Sequence, residues 1–537
     1  MLRVALCAFA VACAPPDGGP RWRPAGATEP RDGGTLRFAA KDGLTTLDPA
    51  VATDEASIYA LQFVTDRLVD YKPGSTQLVP RLAERWEISP DSKTYRFWLK
   101  PGIAYADGRP IVAADFAYSL ERTLTMPDAP FAATLADLDG AEDLTHGKAP
   151  HCRGIEVRGE RELVLHLVKP NAAFIYLLGM QFAAPLTAAH VAAAGDQLRR
   201  RPLASGPYRL VEWNEGRHLI FERNPYYHDH SRQHLERIVL LENIPRDTQF
   251  MMFERGDLDT AERLSAPDYL WITGQPAWQP YEHTLALMNV YGSRMNVRTK
   301  PFDDKRVRQA LNYALDKQHI GKLLIGTALP AHGMLAPGTL GRDDTIEPYA
   351  HDPAKARALL AEAGYPHGLT LDYVTITDEE AEKVAQAMQS DFAEVGVTLN
   401  ISLISFGAYQ TAIGKPDGPP FTLGGWLGDF PDPSSFFDTT FHSRAIGSQN
   451  NCFYSNPELD KLLDAARAEP DVAKRAAMYQ RADRILHDDA PWIWGYHQAM
   501  FEVTQPYVRD YQPHPVWIRD YTGVWLDVGP DGDPVPR

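Results

Sequence analysis

The sequence predicts a mixed α/β protein of two or three domains. Its 537 residues are 44% hydrophobic and include 11 Trp, 23 Tyr and 21 Phe, enough apolar material for a large buried core. Segments with the two-residue period of a strand are interleaved with segments at helical spacing. In residues 378–403 a helical pattern ends at Gly396 and a strand-like run follows at once, as in an α/β domain.

Two strands are predicted in the first third of the chain. In residues 95–100 apolar residues alternate with Arg96, Trp98 and Lys100, which predicts a strand with one buried face. Residues 162–168 are largely apolar on both faces, which is typical of a more deeply buried strand.

Three helices are predicted further along the chain. Five apolar positions fall on one stripe within residues 307–315. Residues 352–364 begin with Asp-Pro, an N-cap followed by a first-turn proline, and end with a glycine. Asp378 caps the third helix, which precedes the strand-like residues 397–403.

The first residues are typical of an export signal. Arg3 precedes a short apolar run, and residues 10–13 (Ala-Val-Ala-Cys) resemble a lipoprotein cleavage site with Cys13 as the lipidated residue. Residues 14–34 are rich in Pro, Gly, Arg and Asp, which predicts a flexible tether. No later segment has the roughly 18 consecutive apolar residues of a membrane-spanning helix. We expect a lipid-anchored protein, with plain secretion as the alternative.

Composition and motifs argue against several classes of function. The formal net charge of −16 is unsuited to a nucleic-acid partner. The sequence contains no G-x-S-x-G, H-E-x-x-H, C-x-x-C or Walker motif. His228, His230 and His234 could form a surface zinc or nickel site, but no Cys completes a ligand set and a solvated cluster is preferred. We therefore expect neither an enzyme nor a bound metal or cofactor.

Five blocks resemble the oligopeptide- and dipeptide-binding proteins of ABC importers, the extracellular solute-binding protein family 5. They occur in that family's order and together span nearly the whole chain after the tether. The blocks are LVPRLAERWEISPDSKTYRFWLKPGIAYADGRPIVAADFAYSLERTL (78–124), SGPYRLVEWNEGRHLIFERNPYY (205–227), PFDDKRVRQALNYALDKQHI (301–320), HDPAKARALLAEAGYPHGL (351–369) and the region from NPELD to DAPWI (within 454–496).

The resemblance implies a two-lobed periplasmic-binding-protein fold whose hinge closes on a ligand. It also implies an extra inserted domain of the peptide-binding type. The implied division is domain I (35–64, 186–290 and 499–537), inserted domain II (65–185) and domain III, the second lobe (291–498). The implied partners are a peptide and the permease subunits of an ABC importer. We expect a monomer in the periplasm or at the cell surface.

Two cysteines remain in the folded body. On this division Cys152 lies in the first lobe and Cys452 in the second. A disulfide between them would lock the lobes together and prevent ligand exchange. We therefore expect two free thiols.

The segment Gly425-Trp426-Leu427-Gly428-Asp429 resembles the G-W-x-x-D block of peptide-binding members. In those proteins an aspartate of this block holds the ligand's α-ammonium group, and Asp429 matches it. A carboxylate in a closed, partly dry cleft forms a strong charge-assisted hydrogen bond. The backbone of Gly425 and Leu427 would pair with an extended peptide, and Trp426 would wall a side-chain pocket. The alternative for Asp429 is a cap in a Pro-rich turn.

Three aromatic residues match positions where related proteins place pocket rings, with ordinary core packing as the alternative: Phe131, Phe406 and Tyr496. Dipeptide-specific relatives carry an arginine just before the helix that Asp378 caps, where it clamps the ligand's C-terminal carboxylate. This chain has no arginine there, which favours longer peptides. Arg294 is a candidate substitute clamp, with a surface salt bridge as the alternative.

Three competing hypotheses remain open. The same fold could carry a nickel chelate, an oligosaccharide, an opine-like conjugate or haem, and Asp429 discriminates against those cargoes that lack a free amine. An extracellular hydrolase would need an activated nucleophile, for which we find no motif. A sensor that presents peptides to a receptor would have the same sequence features as a transport protein.

Overall fold

The computed structural model describes residues 18–127 and 129–537, so the predicted export signal and Cys13 lie outside the described residues. The strands in this part are β1 (Trp22–Arg23), β2 (Thr35–Ala39), β3 (Val69–Tyr71), β4 (Leu78–Pro80), β5 (Ala83–Ile88), β6 (Thr94–Leu99), β7 (Ile155–Arg158), β8 (Glu162–His166), β9 (Tyr208–Asn214), β10 (His218–Arg223), β11 (Arg237–Leu241), β12 (Thr260–Glu262), β13 (Glu282–Ala286), β14 (Asn289–Met295), β15 (Ala328–Pro330), β16 (Leu369–Ile376), β17 (Val397–Ile404), β18 (Phe421–Leu427), β19 (Trp492–Thr504), β20 (Val508–Arg509), β21 (Trp525–Leu526) and β22 (Val535–Pro536).

The α-helices of the same part are interspersed among these strands. They are α1 (Glu55–Val64), α2 (Ala113–Thr125), α3 (Ala141–Thr145), α4 (Phe174–Leu177), α5 (Ala188–Ala194), α6 (Arg246–Arg255), α7 (Ala266–Thr273), α8 (Lys305–Ala314), α9 (Lys317–Leu323), α10 (Pro353–Glu362), α11 (Glu379–Glu394), α12 (Phe406–Ala412), α13 (Ser434–Thr440), α14 (Pro457–Ala468) and α15 (Val472–Asp489). The mixed α/β prediction is confirmed.

The predicted elements form where sequence periodicity is strong. The side chain of Asp352 accepts a hydrogen bond from Lys355 N–H at 2.9 Å and begins α10. Asp378 does the same for Ala381 N–H at 3.0 Å and begins α11, after which β17 follows directly. The strand predicted over 162–168 ends earlier, at His166, and Val168 is exposed.

The body that we call the first lobe contains two four-stranded sheets. In the first, of order β2-β11-β10-β9, β2 and β11 are parallel. The second, β5-β6-β8-β7, is antiparallel and packs against α2. Each sheet has its own apolar core, and Cys152 is buried in the core of the second.

The second lobe is built on β14, β18, β16 and β17, part of an eight-stranded sheet. Helices α8, α10 and α11 cover one face of these strands and enclose one core. Helices α13, α14 and α15 cover the other face and enclose another, in which Cys452 is buried. Both described cysteines are free thiols in separate cores.

Strand β19 connects the two lobes. It pairs with β14 from Trp492 to Tyr496 and with β12 from Glu502 to Thr504. A single strand of 13 residues therefore begins in the second lobe and ends in the first. No helix in the described part of the chain is long and apolar enough to cross a membrane.

Candidate ligand-binding cleft

Strand β18 has one open edge. It pairs along its length with β14 on one side, but on the other it pairs with β16 only at Thr422, opposite Val374. The N–H of Gly428 donates to the carbonyl oxygen of Met288, the residue before β14, at 2.9 Å. Because ladder bonds alternate along an antiparallel strand, the backbone groups of Gly425 and Leu427 point to the open edge.

Arg294 crosses β18 to reach this edge. Its Nη2 donates to Gly425 O at 2.6 Å, and its guanidinium lies 5.0 Å from the ring centroid of Trp492. It passes Gly424, where a Cβ would lie 3.0 Å from Arg294 Cγ. Arg294 is only 7% exposed and pairs with no carboxylate in the described part of the chain, so the surface salt bridge is the wrong alternative.

Two stacked tyrosines lie beside the edge. A Cβ on Gly425 would lie 3.0 Å from the ring of Tyr291, which is half-buried. Tyr496 stacks behind Tyr291 at 5.4 Å and donates its hydroxyl to Glu380 Oε1 at 2.6 Å. Burial and then the carboxylate of Glu380 raise the pKa of Tyr496. Tyr291, which the sequence did not single out, therefore presents the ring surface nearer the strand.

Asp429 follows the end of β18. Its backbone N–H donates to Ser435 Oγ at 2.8 Å. Its side chain is exposed, and within the described residues its carboxylate has neither a hydrogen bond nor an ion pair. The surrounding protein nevertheless removes enough water to raise the pKa of Asp429, as expected for a carboxylate in a concave surface.

The capping role belongs to a different aspartate. Asp432 is fully buried, accepts a hydrogen bond from Ser434 N–H at 2.9 Å, and pairs with Arg475. Trp426 is half-buried and donates Nε1–H to Ser435 O at 2.7 Å. These contacts hold the segment that carries Asp429, while Asp429 itself caps nothing.

Phe131 lies on the first lobe. It is half-buried and stacks on Phe182 with ring centroids 5.0 Å apart. Phe430, the residue after Asp429, packs against the same apolar core as Phe131. The structure therefore brings the segment after β18 into contact with the apolar core against which Phe131 also packs.

Phe406 lies beside the open edge of β18. It is 62% exposed and stacks on Tyr409 at 6.5 Å. Tyr409 in turn donates its hydroxyl to Leu423 O at 2.5 Å. Leu427, at the end of the strand, is 64% exposed.

A cavity lies between the lobes, and no residue of β18 lines it. Its volume is about 570 Å³, and its walls come from β5 and α4 on one side and from residues 338–344 and α15 on the other. None of the predicted site residues lines it. Nearby, Ala172 N–H donates to Arg467 O at 2.8 Å and Arg467 pairs with Asp137 at 2.9 Å, so the lobes touch there.

The histidine cluster is dispersed. His230 contacts Gln233 at 3.1 Å, and His234 contacts Asp32 at 3.0 Å. Across residues 18–127 and 129–537, no group of three His, Cys, Asp or Glu residues is arranged to hold a metal ion.

Comparisons with known proteins relate the whole body to two-lobed binding proteins. The chain is 29% identical over 508 residues to heme-binding protein A of Haemophilus influenzae, covering 89% of this chain and 90% of the relative. It superimposes on the unliganded open form of the periplasmic murein tripeptide-binding protein MppA with a TM-score of 0.85, at 26% identity and with 93% and 98% coverage.

The chain superimposes less closely on a related protein that holds a peptide. The periplasmic binding protein DppA of Helicobacter pylori in complex with the peptide STSA gives a TM-score of 0.68, at 25% identity and with 93% and 99% coverage. Coverage and identity hardly differ, so the lobes are arranged more as in the open form. A family model described as bacterial extracellular solute-binding proteins, family 5 (middle) matches residues 77–448. The chain therefore belongs to the bacterial extracellular solute-binding proteins of family 5.

Proposed function

We propose that this chain captures oligopeptides outside the cytoplasm and delivers them to the permease of an ABC importer. The observation that carries the proposal is Asp429, an exposed and unpaired carboxylate at the end of an open-edged strand. A ligand ammonium group supplies the missing partner, and the charge-assisted hydrogen bond strengthens as closure removes water. MppA is a murein tripeptide-binding protein and DppA is in complex with the peptide STSA, which supports a peptide cargo.

The open edge of β18 suits a peptide main chain. Gly425 and Leu427 direct backbone groups outward, so an extended ligand can add as a further strand whatever its sequence. The Gly425 carbonyl already accepts one hydrogen bond from Arg294 and would share its second lone pair with the ligand. Ligand side chains would then meet the rings of Trp426, Phe131 and Phe406. Tyr496 would support the ring of Tyr291 by stacking on it and would not bind the ligand directly, because its own hydroxyl is already bonded to Glu380.

The domain division supports capture by closure. Domain I (35–64, 186–290 and 499–537) and domain II (65–185) form the first lobe, and domain III (291–498) forms the second. The site residues Asp429 and Phe131 belong to different lobes, so only a closed form surrounds a ligand on both sides. The protein acts as a monomer, anchored through Cys13 in the periplasm or at the cell surface.

Haem is a second candidate cargo, because heme-binding protein A is 29% identical over nearly the whole chain. The two cargoes differ in chemistry at Asp429. A peptide presents an ammonium group to this carboxylate, whereas haem carries carboxylates that it would repel. Loss of binding on acetylation of the ligand amine separates the two.

The first experiment identifies the cargo and its anchor. Native mass spectrometry followed by denaturation should release peptides with free amino termini. Asp429→Asn should then weaken binding of such a peptide by about 2–5 kcal/mol in calorimetry, because one member of a buried charge pair is lost. N-acetylation of the peptide should weaken binding to the wild type equally.

A matched control is Asp303→Asn, which removes an exposed carboxylate before α8. Its neighbour Phe302 packs against Phe421 at the opposite end of β18. The control substitution should leave affinity unchanged. Release of haem or a sugar, or equal binding of free and acetylated peptides, would contradict the peptide proposal.

The lipid anchor has its own test. Cys13→Ser should move the protein from the membrane fraction to the soluble fraction, because a thioether-linked lipid cannot form on serine. Cys152→Ser is the control, since that thiol is buried in the first lobe. Continued membrane association of Cys13→Ser would show that another element anchors the chain.

A further inference from the structure

Strand β12 shows which edge of the first lobe faces the second. It pairs antiparallel with β19, with Thr260 opposite Thr504 and Glu262 opposite Glu502. Because β19 begins at Trp492 in the second lobe, the carboxyl end of β12 points towards that lobe. Ligands of open α/β sheets bind beyond the carboxyl ends of the strands.

Strands β2 and β11 end at the same edge. Asp259 N–H donates to Arg37 O at 2.8 Å, while Arg519 bonds Ala39 O at 2.9 Å and pairs with Glu262 at 3.2 Å. These contacts place β2 alongside β12 in the same direction, and β11 is parallel to β2. The first turn of α6, which follows β11, therefore lies on the edge that faces the second lobe.

The carboxylates on this edge already have partners. Arg263 donates two hydrogen bonds to Glu55, one of them at 2.9 Å. Arg519 is buried between Glu262, at 3.2 Å, and Glu502, at 3.1 Å. Arg263 also has a left-handed backbone with φ of 46°, which non-glycine residues seldom adopt outside turns and functional sites.

Arg246, the first residue of α6, is left without a partner. Its half-buried guanidinium forms no hydrogen bond or ion pair with any residue that the structure describes, and its Nε is buried. Burial and the nearby Arg263 lower the pKa of Arg246, although Glu262 and Glu55 partly oppose this. The hydroxyl of Tyr59, 1% exposed and close enough to affect Arg246 electrostatically, is also unpaired. Buried donors of this kind are costly until an acceptor arrives.

We propose that Arg246 binds the carboxylate end of the ligand whose amine is held by Asp429. This inference rests on the proposed peptide function. Arg294 is occupied by Gly425 O, whereas Arg246 has a free guanidinium on the facing lobe. A zwitterionic ligand satisfies an unpaired charge on each lobe only when the lobes approach, so its two ends favour closure together.

The test compares two forms of one peptide that the wild type binds: the free acid and the C-terminal amide. Wild-type protein should bind the amide about 10- to 100-fold more weakly by calorimetry, since a charge-assisted bond is lost. Arg246→Gln should bind both forms equally, at the level of the wild type with the amide. Arg246→Lys keeps the positive charge and should recover part of the preference for the acid.

Arg255→Gln is the matched control, because Arg255 lies at the other end of α6 and pairs with Asp257. It should retain the full preference for the acid. Equal binding of acid and amide by the wild type would overturn the role of Arg246 while leaving the peptide function intact. Failure of the wild type to bind any peptide would overturn the function and, with it, this inference. The wild-type comparison needs no variant to fold.

Discussion

Two aspartates only three residues apart have opposite roles. Asp432 is fully buried, pairs with Arg475 and caps the turn that leads into α13. Asp429 is exposed and its carboxylate has no partner within the described residues. The buried pair fixes the loop, and the unpaired carboxylate remains available for a ligand. Residue type alone would not separate them, since both are aspartates in one Pro-rich segment.

Ligand affinity should depend on the protonation of Asp429. Partial desolvation by the surrounding protein raises the pKa of Asp429, so it becomes neutral at a higher pH than an ordinary aspartate does. Since only the ionised form attracts an ammonium group, affinity should fall as pH decreases through this raised pKa. Calorimetry across an acidic pH series measures the loss.

In Asp429→Asn the weaker residual binding should be insensitive to this titration. The ligand-free variant should be at least as stable as the wild type to denaturant, because a partly desolvated charge has been removed. An unchanged acid dependence in the variant would assign the titration to another group.

Three glycines in β18 and directly after it lie where neighbouring groups approach the backbone closely. Gly424 leaves room for Arg294, Gly425 leaves room for the ring of Tyr291, and a Cβ on Gly428 would lie 2.5 Å from the ring of Phe436. Glycine normally weakens a strand, so their presence marks close approach by neighbouring groups. The glycines lower the intrinsic stability of β18, but they permit close contacts with Arg294, Tyr291 and Phe436 that a larger side chain would block.

The substitution Gly424→Ala tests this packing. Its Cβ would lie 3.0 Å from Arg294 Cγ, so we expect a loss of about 1–3 kcal/mol of unfolding free energy by denaturant titration. Arg294→Ala removes the obstructing side chain. The double variant should therefore lose less than the two single losses added together. Strict additivity would show that Arg294 does not cross at Gly424.

Periodic elements could be predicted from the sequence, and contacts between elements could not. The caps Asp352 and Asp378 and the alternation in β6 are local signals, and they coincide with observed boundaries. Tyr291 and Arg246 have no local signal, because strand pairing and the direction of β12 set their places. The predicted strand over 162–168 extends two residues too far. Val168 is apolar and so fits the strand pattern, but it is exposed beyond the end of β8 at His166.

The family and the two-lobed fold could be predicted from ordered blocks spread over the chain. The separation of the lobes could not, because closure depends on a ligand rather than on composition. The open arrangement is indicated by the superpositions. The TM-score is 0.85 with the open form of MppA and 0.68 with the peptide complex of DppA. Bridging contacts such as Arg467 with Asp137 show that the open molecule still has an interface between its lobes.

A saturating peptide should make the whole molecule more compact. Closure about β19, the strand that connects the lobes, brings them together, so the radius of gyration from small-angle X-ray scattering should decrease. Asp429→Asn at the same peptide concentration should remain extended. An unchanged radius for the wild type with bound peptide, established by calorimetry on the same sample, would show that binding does not close the lobes.

The pairing of β1 with β22 has a practical consequence. Trp22 lies opposite Pro536, so the beginning and the end of the described chain emerge side by side, on the lobe to which residues 499–537 return. A fluorophore near each end would keep a constant separation during closure and serve as a built-in reference. Moving one label to an exposed position in α11 would instead turn each capture event into a change in energy transfer.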